Sequence, residues 1–150
     1  MEKERINAVI TLSNGDSTQG HFFVAKGSAH CSGPERVGEL LNGEPGFFPF
    51  ELRGPGANRT VLYNRRQVVM VALDENEASR VPGHDVATER LVSVLLSSGD
   101  RVAGTVRVYQ PEWLSRLSDW TREADHFRYI ETNSRSVLVN IAHVLEVSEA

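Results

Sequence analysis

The chain has 150 residues, 40% of them hydrophobic and 24% charged, with a formal net charge of −4. That composition belongs to a folding globular protein and excludes a disordered or fibrous one, while the length fits one domain of common size or two very small ones. The acidity is uneven: residues 1–73 carry eight basic and seven acidic side chains, 74–89 one and five, and 90–150 seven and eight, or +1, −4 and −1, so neither end of the chain has the strongly basic face of a nonspecific nucleic-acid binder.

The opening Met1-Glu-Lys-Glu-Arg5 is charged on both signs, and no apolar h-region follows it. No apolar run approaches the roughly 20 residues of a membrane helix. Cys31 is the single cysteine, so no intrachain disulfide can form. These features predict a soluble, cytoplasmic protein in a reducing compartment.

In chain order, an apolar strand from Ile6 to Leu12 turns through Gly15-Asp16 into a second strand from His21 to Ala25, a β-hairpin signature. A short helix over about Glu35 to Leu41 follows, then strands at Phe47 to Arg53, Thr60 to Tyr63 and Val68 to Leu73. Asp74 to Glu89 holds Pro82, Gly83 and five acids without periodic apolar residues, and reads as a solvated linker. The same series of elements then runs again. Strands are predicted at Leu91 to Leu96 and Thr105 to Tyr109, and a helix over Glu112 to Arg122 opens after Pro111. Trp113, Leu117 and Trp120 recur there at i, i+4 and i+7 as one apolar stripe. Strands at Phe127 to Thr132, Ser136 to Val139 and Val144 to Val147 close the chain.

The repetition extends to the residues themselves. Val9-Ile-Thr-Leu-Ser-Asn-Gly-Asp16, with Gly20 beyond it, reappears around Val94, Leu96 and Ser97-Ser98-Gly99-Asp100, with Gly104 beyond, at an offset of 84. Arg36-Val37-Gly-Glu39-Leu40 matches Arg116-Leu117-Ser-Asp119-Trp120 at an offset of 80, as Phe47, Phe50 and Glu51 match Phe127, Ile130 and Glu131. Arg59 to Val71 matches Arg135 to Val147 at an offset of 76, with six identities in thirteen positions, where composition alone gives roughly one. Three blocks in one order mark an internal duplication. The expected architecture is mainly β: a first five-stranded small barrel at 1–73, an acidic linker at 74–89 and a second such barrel at 90–150. Each barrel carries a short helix between its second and third strands. Copies this small have little core, so they are expected to pack together or to oligomerise.

A strand, a Gly-Asp turn, a glycine five residues later and a closing V-L-x-N-x-x-x-V-x-x-V hairpin resemble the Sm-like (SH3-like) small barrels, and in general style small bacterial domains of unknown function. The resemblance implies a five-stranded barrel and admits RNA as a partner. In that family the last turn usually carries Arg-Gly, whereas Asn64-Arg65 and Asn140-Ile141 stand there in this chain, and the family's RNA-contacting Asn has no clear match.

Catalytic and metal chemistry find little footing. The histidines at 21, 30, 84, 126 and 143 show no metal-ligand spacing. The adjacent His30-Cys31 has no third residue and no counterpart in copy two, and no G-x-S-x-G elbow exists. Gly43-Glu-Pro-Gly46 and Gly54-Pro55-Gly56 read as turns, and Glu39 with Glu51 as solvated acids. Arg65-Arg66, beside Asn64 and Arg59, form a basic turn suited to a phosphate or a partner carboxylate, but copy two has Ile141-Ala142 in its place. The recurring Gly15 and Gly99 are expected at positive φ, and Asn64 and Asn140 at left-handed turn positions. Arg36 and Arg116 are expected to pair with Glu51 and Glu131, so charge reversal at Arg116 should lower thermal stability. The reading is a non-enzymatic binding or assembly module without cofactor or metal. It docks a protein partner or itself through strand edges and the helix bearing Trp113, Leu117 and Trp120. The alternatives are an RNA-binding protein using Arg59, Asn64, Arg65 and Arg66, which the charge does not favour, and a small-ligand-binding regulatory domain. No membrane role is expected.

Overall fold

The computed structural model describes residues 3–27, 33–56, 58–110 and 116–150. Copy one supplies strands β1 (Lys3–Leu12), β2 (Ser17–Ala25), β3 (Phe47–Leu52), β4 (Arg59–Asn64) and β5 (Val68–Leu73), with helix α1 (Val37–Gly43) between β2 and β3. Copy two supplies β6 (Thr88–Leu96), β7 (Arg101–Val108), β8 (Phe127–Thr132), β9 (Arg135–Asn140) and β10 (Val144–Glu149), with α2 (Leu117–Thr121) between β7 and β8. All ten predicted strands are present. β1, β2, β6 and β7 run several residues past their predicted ends, because main-chain pairing continues through polar positions that apolar alternation does not mark.

The ten strands form one antiparallel sheet in the order β10-β6-β7-β8-β9-β5-β1-β2-β3-β4. This corrects the expectation of two closed barrels. Each copy keeps the same internal strand order, but the sheet is open, and the outer edge of β5 is occupied by β9 of copy two instead of β4 of its own copy. The seam is antiparallel, with Met70 opposite Val139, Val71 opposite Leu138 and Ala72 opposite Val137.

The recurring glycines have local causes. Gly15 and Gly99 turn the β1–β2 and β6–β7 hairpins at φ +92° and +91°, a region that costs glycine nothing. Gly20 and Gly104 sit where β2 and β7 pass from one neighbouring strand to the next. A Cβ at Gly20 would run into the carbonyl oxygen of Glu51, and one at Gly104 into that of Glu131.

Two cores result, and they interlock at the seam. The first gathers Ile10, Phe22, Val24, Val37, Phe48, Phe50 and Val71, together with Phe127 and Leu138 of copy two. The second gathers Val92, Val94, Leu96, Val106, Val108, Trp120 and Ile130, together with Val69 of copy one. Val69 reaches across because β5 bulges against β1 there, with Val68 opposite Leu12 and Met70 opposite Thr11.

The segment from Asp74 to Ala87 keeps Asp74, Glu75 and Asp85 exposed, as expected of a solvated connection, but it also sends one acid inward. It carries two short 3₁₀ turns, Glu77–Arg80 and His84–Val86. Glu77 and Ala78 are buried. The Glu77 carboxylate accepts hydrogen bonds from the first two backbone N–H groups of α1, Val37 and Gly38, at 3.0 Å each, and from the Tyr129 hydroxyl. A buried acid at a helix N-terminus meets the orphan donors there. Burial, with Glu77 beside it, holds the Tyr129 phenol well above its usual pKa.

Candidate functional site: the seam, its cleft and the two outer edges

The predicted basic turn does not assemble as a cluster of free cations. Arg65 is buried, and its guanidinium donates to the carbonyls of Phe47 (2.9 Å), Leu40 (3.0 Å) and Pro45 (3.5 Å) above the Phe48 ring. Arg59 and Arg66 are exposed. Asn64 is extended (φ −77°, ψ 119°), and its side chain accepts from Arg66 N at the head of a 3₁₀ turn; Asn140 (φ −82°, ψ 117°) does the same with Ala142 N. The expectation of left-handed asparagines is therefore corrected. Their side chains cap a turn, which needs no unusual backbone angle.

The expected pairing of Arg36 and Arg116 is also corrected. Arg36 meets Glu39 at 2.8 Å and Arg116 meets Asp119 at 3.6 Å, both one helical turn along the same helix. Glu51 instead faces His21 at 3.1 Å, and Glu131 is held by His84 and Arg107. Arg116 is largely exposed, so reversing its charge disturbs a surface pair of about 0–1 kcal/mol. In α2, Trp120 is buried in the second core with Arg128 over its ring, and Leu117 is half-buried against that core. Trp113, Pro111, His30 and Cys31 lie outside the described residues.

A cleft of about 380 Å³ opens where α1 meets copy two, with Arg36, Asn42, Arg107, Tyr109, Tyr129 and Glu131 among its walls. Its polar groups largely hold one another. Glu131 accepts from Asn76 (2.8 Å) and Arg107 (2.9 Å) and meets His84 at 3.0 Å. Burial raises its carboxyl pKa, but those hydrogen bonds outweigh burial and leave it below the ordinary value. Burial and the nearby Glu131 push the Tyr109 phenol up to about 12. Asn42 donates to Phe127 O and accepts from Phe127 N, both at 2.9 Å, fastening α1 to β8. This network supports the seam. Among the described residues, no three His, Cys, Asp or Glu side chains gather to hold a metal ion, and no helix is long and apolar enough to cross a membrane.

The sheet ends in two outer edges, which the strand alternation in the sequence does not distinguish from inner ones. Among the described residues, β4 pairs only with β3, and β10 only with β6. The sequence repeat gives each residue of β5 a counterpart on β10 and each residue of β9 a counterpart on β4. Leu138 is fully buried at the seam, and its counterpart Leu62 on β4 is 66% exposed. Phe127 is 3% exposed and its counterpart Phe47 is 63% exposed. On the other side, Val69 is fully buried at the β5 bulge. Leu145 occupies the same bulge in β10, between Val144 opposite Leu96 and Glu146 opposite Leu95, and is 66% exposed. Asn140, buried at the seam, donates from Nδ2 to Val68 O (2.9 Å) and Arg65 O (3.4 Å). The Nδ2 of Asn64 makes no such bond among the described residues.

Comparison with known proteins gives no match to a family model, to a curated sequence or to a solved structure.

Proposed function

We propose that this chain is a non-enzymatic assembly module that binds by strand addition at its two outer sheet edges. The observation that carries this reading is the exposure of Leu62, Phe47 and Leu145, large apolar side chains flanking unpaired strand edges, whose counterparts within the chain are buried in a strand-to-strand seam. An edge strand offers a row of unpaired N–H and C=O groups to any extended segment. Natural edges are usually blunted by charge, proline or cover; here Leu62 and Leu145 stay exposed beside the charged Arg59 and Glu146 of the same strands, which leaves each edge an apolar anchor for association. The shared strand order of the two copies, with their Gly-Asp turns, supports retaining the Sm-like resemblance as part of this proposal.

Light scattering across a concentration series, together with affinity capture, tests the reading on the full chain. Wild-type protein should associate, with itself or with a captured partner, and Leu62→Lys should abolish association on the β4 side. Leu62 is exposed, so its replacement should leave the thermal unfolding of a single chain nearly unchanged. Association that survives both Leu62→Lys and Leu145→Lys, or no association of any kind, overturns the proposal.

A further inference from the structure

The seam inside the chain specifies what an outer edge would accept. We infer that the occupant of the β4 edge is the β10 edge of a second copy of this chain, docked head to tail in the register of the internal seam. This rests on the strand-addition reading above and names its partner.

The register follows from the repeat. β5 and β9 pair with Met70 opposite Val139, Val71 opposite Leu138 and Ala72 opposite Val137. The last repeat block has an offset of 76, which carries Met70, Val71 and Ala72 onto Glu146, Val147 and Ser148 of β10, and Val139, Leu138 and Val137 onto Tyr63, Leu62 and Val61 of β4. Between two chains, Glu146 therefore faces Tyr63, Val147 faces Leu62 and Ser148 faces Val61.

The side chains fit the same scheme. At the internal seam, Val69 enters the second core while Leu138 and Phe127 enter the first. In the intermolecular seam, Leu145 enters the first core of the next chain, and that chain's Leu62 and Phe47 enter the second core of the chain before it. Asn64 Nδ2 is placed to donate to the carbonyls of Ile141 and Val144, the counterparts of Arg65 and Val68.

Charge selects head-to-tail docking over like-with-like. The stretch from Arg59 to Gln67 carries three arginines and no acid, and Val144 to Ala150 carries two glutamates and no base. Arg59 and Arg66 on one side and Glu146 and Glu149 on the other are exposed. Two β4 edges, or two β10 edges, would set like charges together, whereas β4 against β10 sets Glu149 opposite Thr60, next to Arg59.

Several fastenings of the internal seam are missing from the outer one, among them the ties of Asn76 and Ala78 to Ser136. Arg122 stands where Asn42 bridges to β8, and Pro49 stands where Tyr129 reaches Glu77. The intermolecular seam is thus the weaker of the two and should dissociate on dilution or in high salt. A head-to-tail contact uses two different surfaces, so it propagates until the chains close a ring or extend as a filament.

Disulfide trapping on the full chain tests the register. In a Cys31→Ser background, Val61→Cys with Ser148→Cys should give a reducible ladder of cross-linked chains under mild oxidation, reaching a fixed largest species if a ring closes. Leu62→Cys with Ser148→Cys should not, because a one-residue slip turns the two side chains to opposite faces. Either single-cysteine variant should trap no more than background. Oligomers by light scattering without the Val61–Ser148 ladder, or with ladders as strong from the single variants, overturn the head-to-tail register while strand addition stands. A chain that stays single at every concentration yet captures another protein, with capture lost in Leu62→Lys, also overturns this inference alone. A single chain without any edge-dependent association overturns both.

Discussion

Asn64 and Asn140 are the same residue at the same place in the repeat, and one difference in their surroundings separates their contributions. Each caps a 3₁₀ turn through Oδ1, but Asn140 is buried and its Nδ2 ties two carbonyls of copy one across the seam. Removing a side chain that satisfies buried acceptors costs about 1–3 kcal/mol, and an exposed equivalent costs less. Asn140→Ala should therefore lower unfolding free energy by about 2 kcal/mol in urea titration, and Asn64→Ala by under about 1 kcal/mol, both measured where the chain is monomeric. Equal losses would mean that Asn140 contributes only its cap. The arginines make the complementary point. Arg65 and Arg66 look alike as a dipeptide, yet one is buried among carbonyls and the other faces solvent.

At the scale of the elements, the repeat preserves crossings as well as strands. Gly20 and Gly104 lie where β2 meets β3 and β7 meets β8, with Gly20 opposite Leu52 and Thr105 opposite Glu131. At both places a methyl group would collide with backbone, which cannot rotate away as a side chain can. Gly20→Ala and Gly104→Ala should each destabilise by about 1–3 kcal/mol, seen as a lowered Tm. Gly54→Ala, with open space around its Cα, should change little. An effect at Gly54 as large as at Gly104 would show that chain flexibility, not close approach, is being measured. The bulges in β5 and β10 are likewise one feature kept twice, and each turns a hydrophobic residue outward from its own copy.

For the whole molecule, the seam makes two sequence repeats one cooperative body. Phe127 and Leu138 belong to the first core and Val69 to the second, so neither core is complete without the other copy. Heat or urea should unfold the chain in a single transition, with coincident curves from tryptophan fluorescence, which reports on copy two, and from far-UV circular dichroism. Val69→Ala, a change in copy one, should shift that whole transition by about 2 kcal/mol. Two resolved transitions, with only the Trp-bearing copy affected, would mean that the copies fold separately.

The self-similarity of the two halves, the order and type of the ten strands, and the two hairpin turns with their positive-φ glycines are all legible in the residues. These are local properties: alternation, turn chemistry and self-similarity are written within a few residues. Where the repeated pieces go is settled in three dimensions. Whether β5 turns back to its own β4 or takes β9 instead depends on competition between two similar edges, which no local pattern records. That competition also explains why identical residues in the two copies face different surroundings. Glu77 is a second long-range effect: among the acids of the 74–89 segment it alone is buried, because it finds backbone donors on α1, distant in sequence and close in space. A sequence repeat says that two positions are alike, and the fold sets one against a partner and leaves the other at an edge.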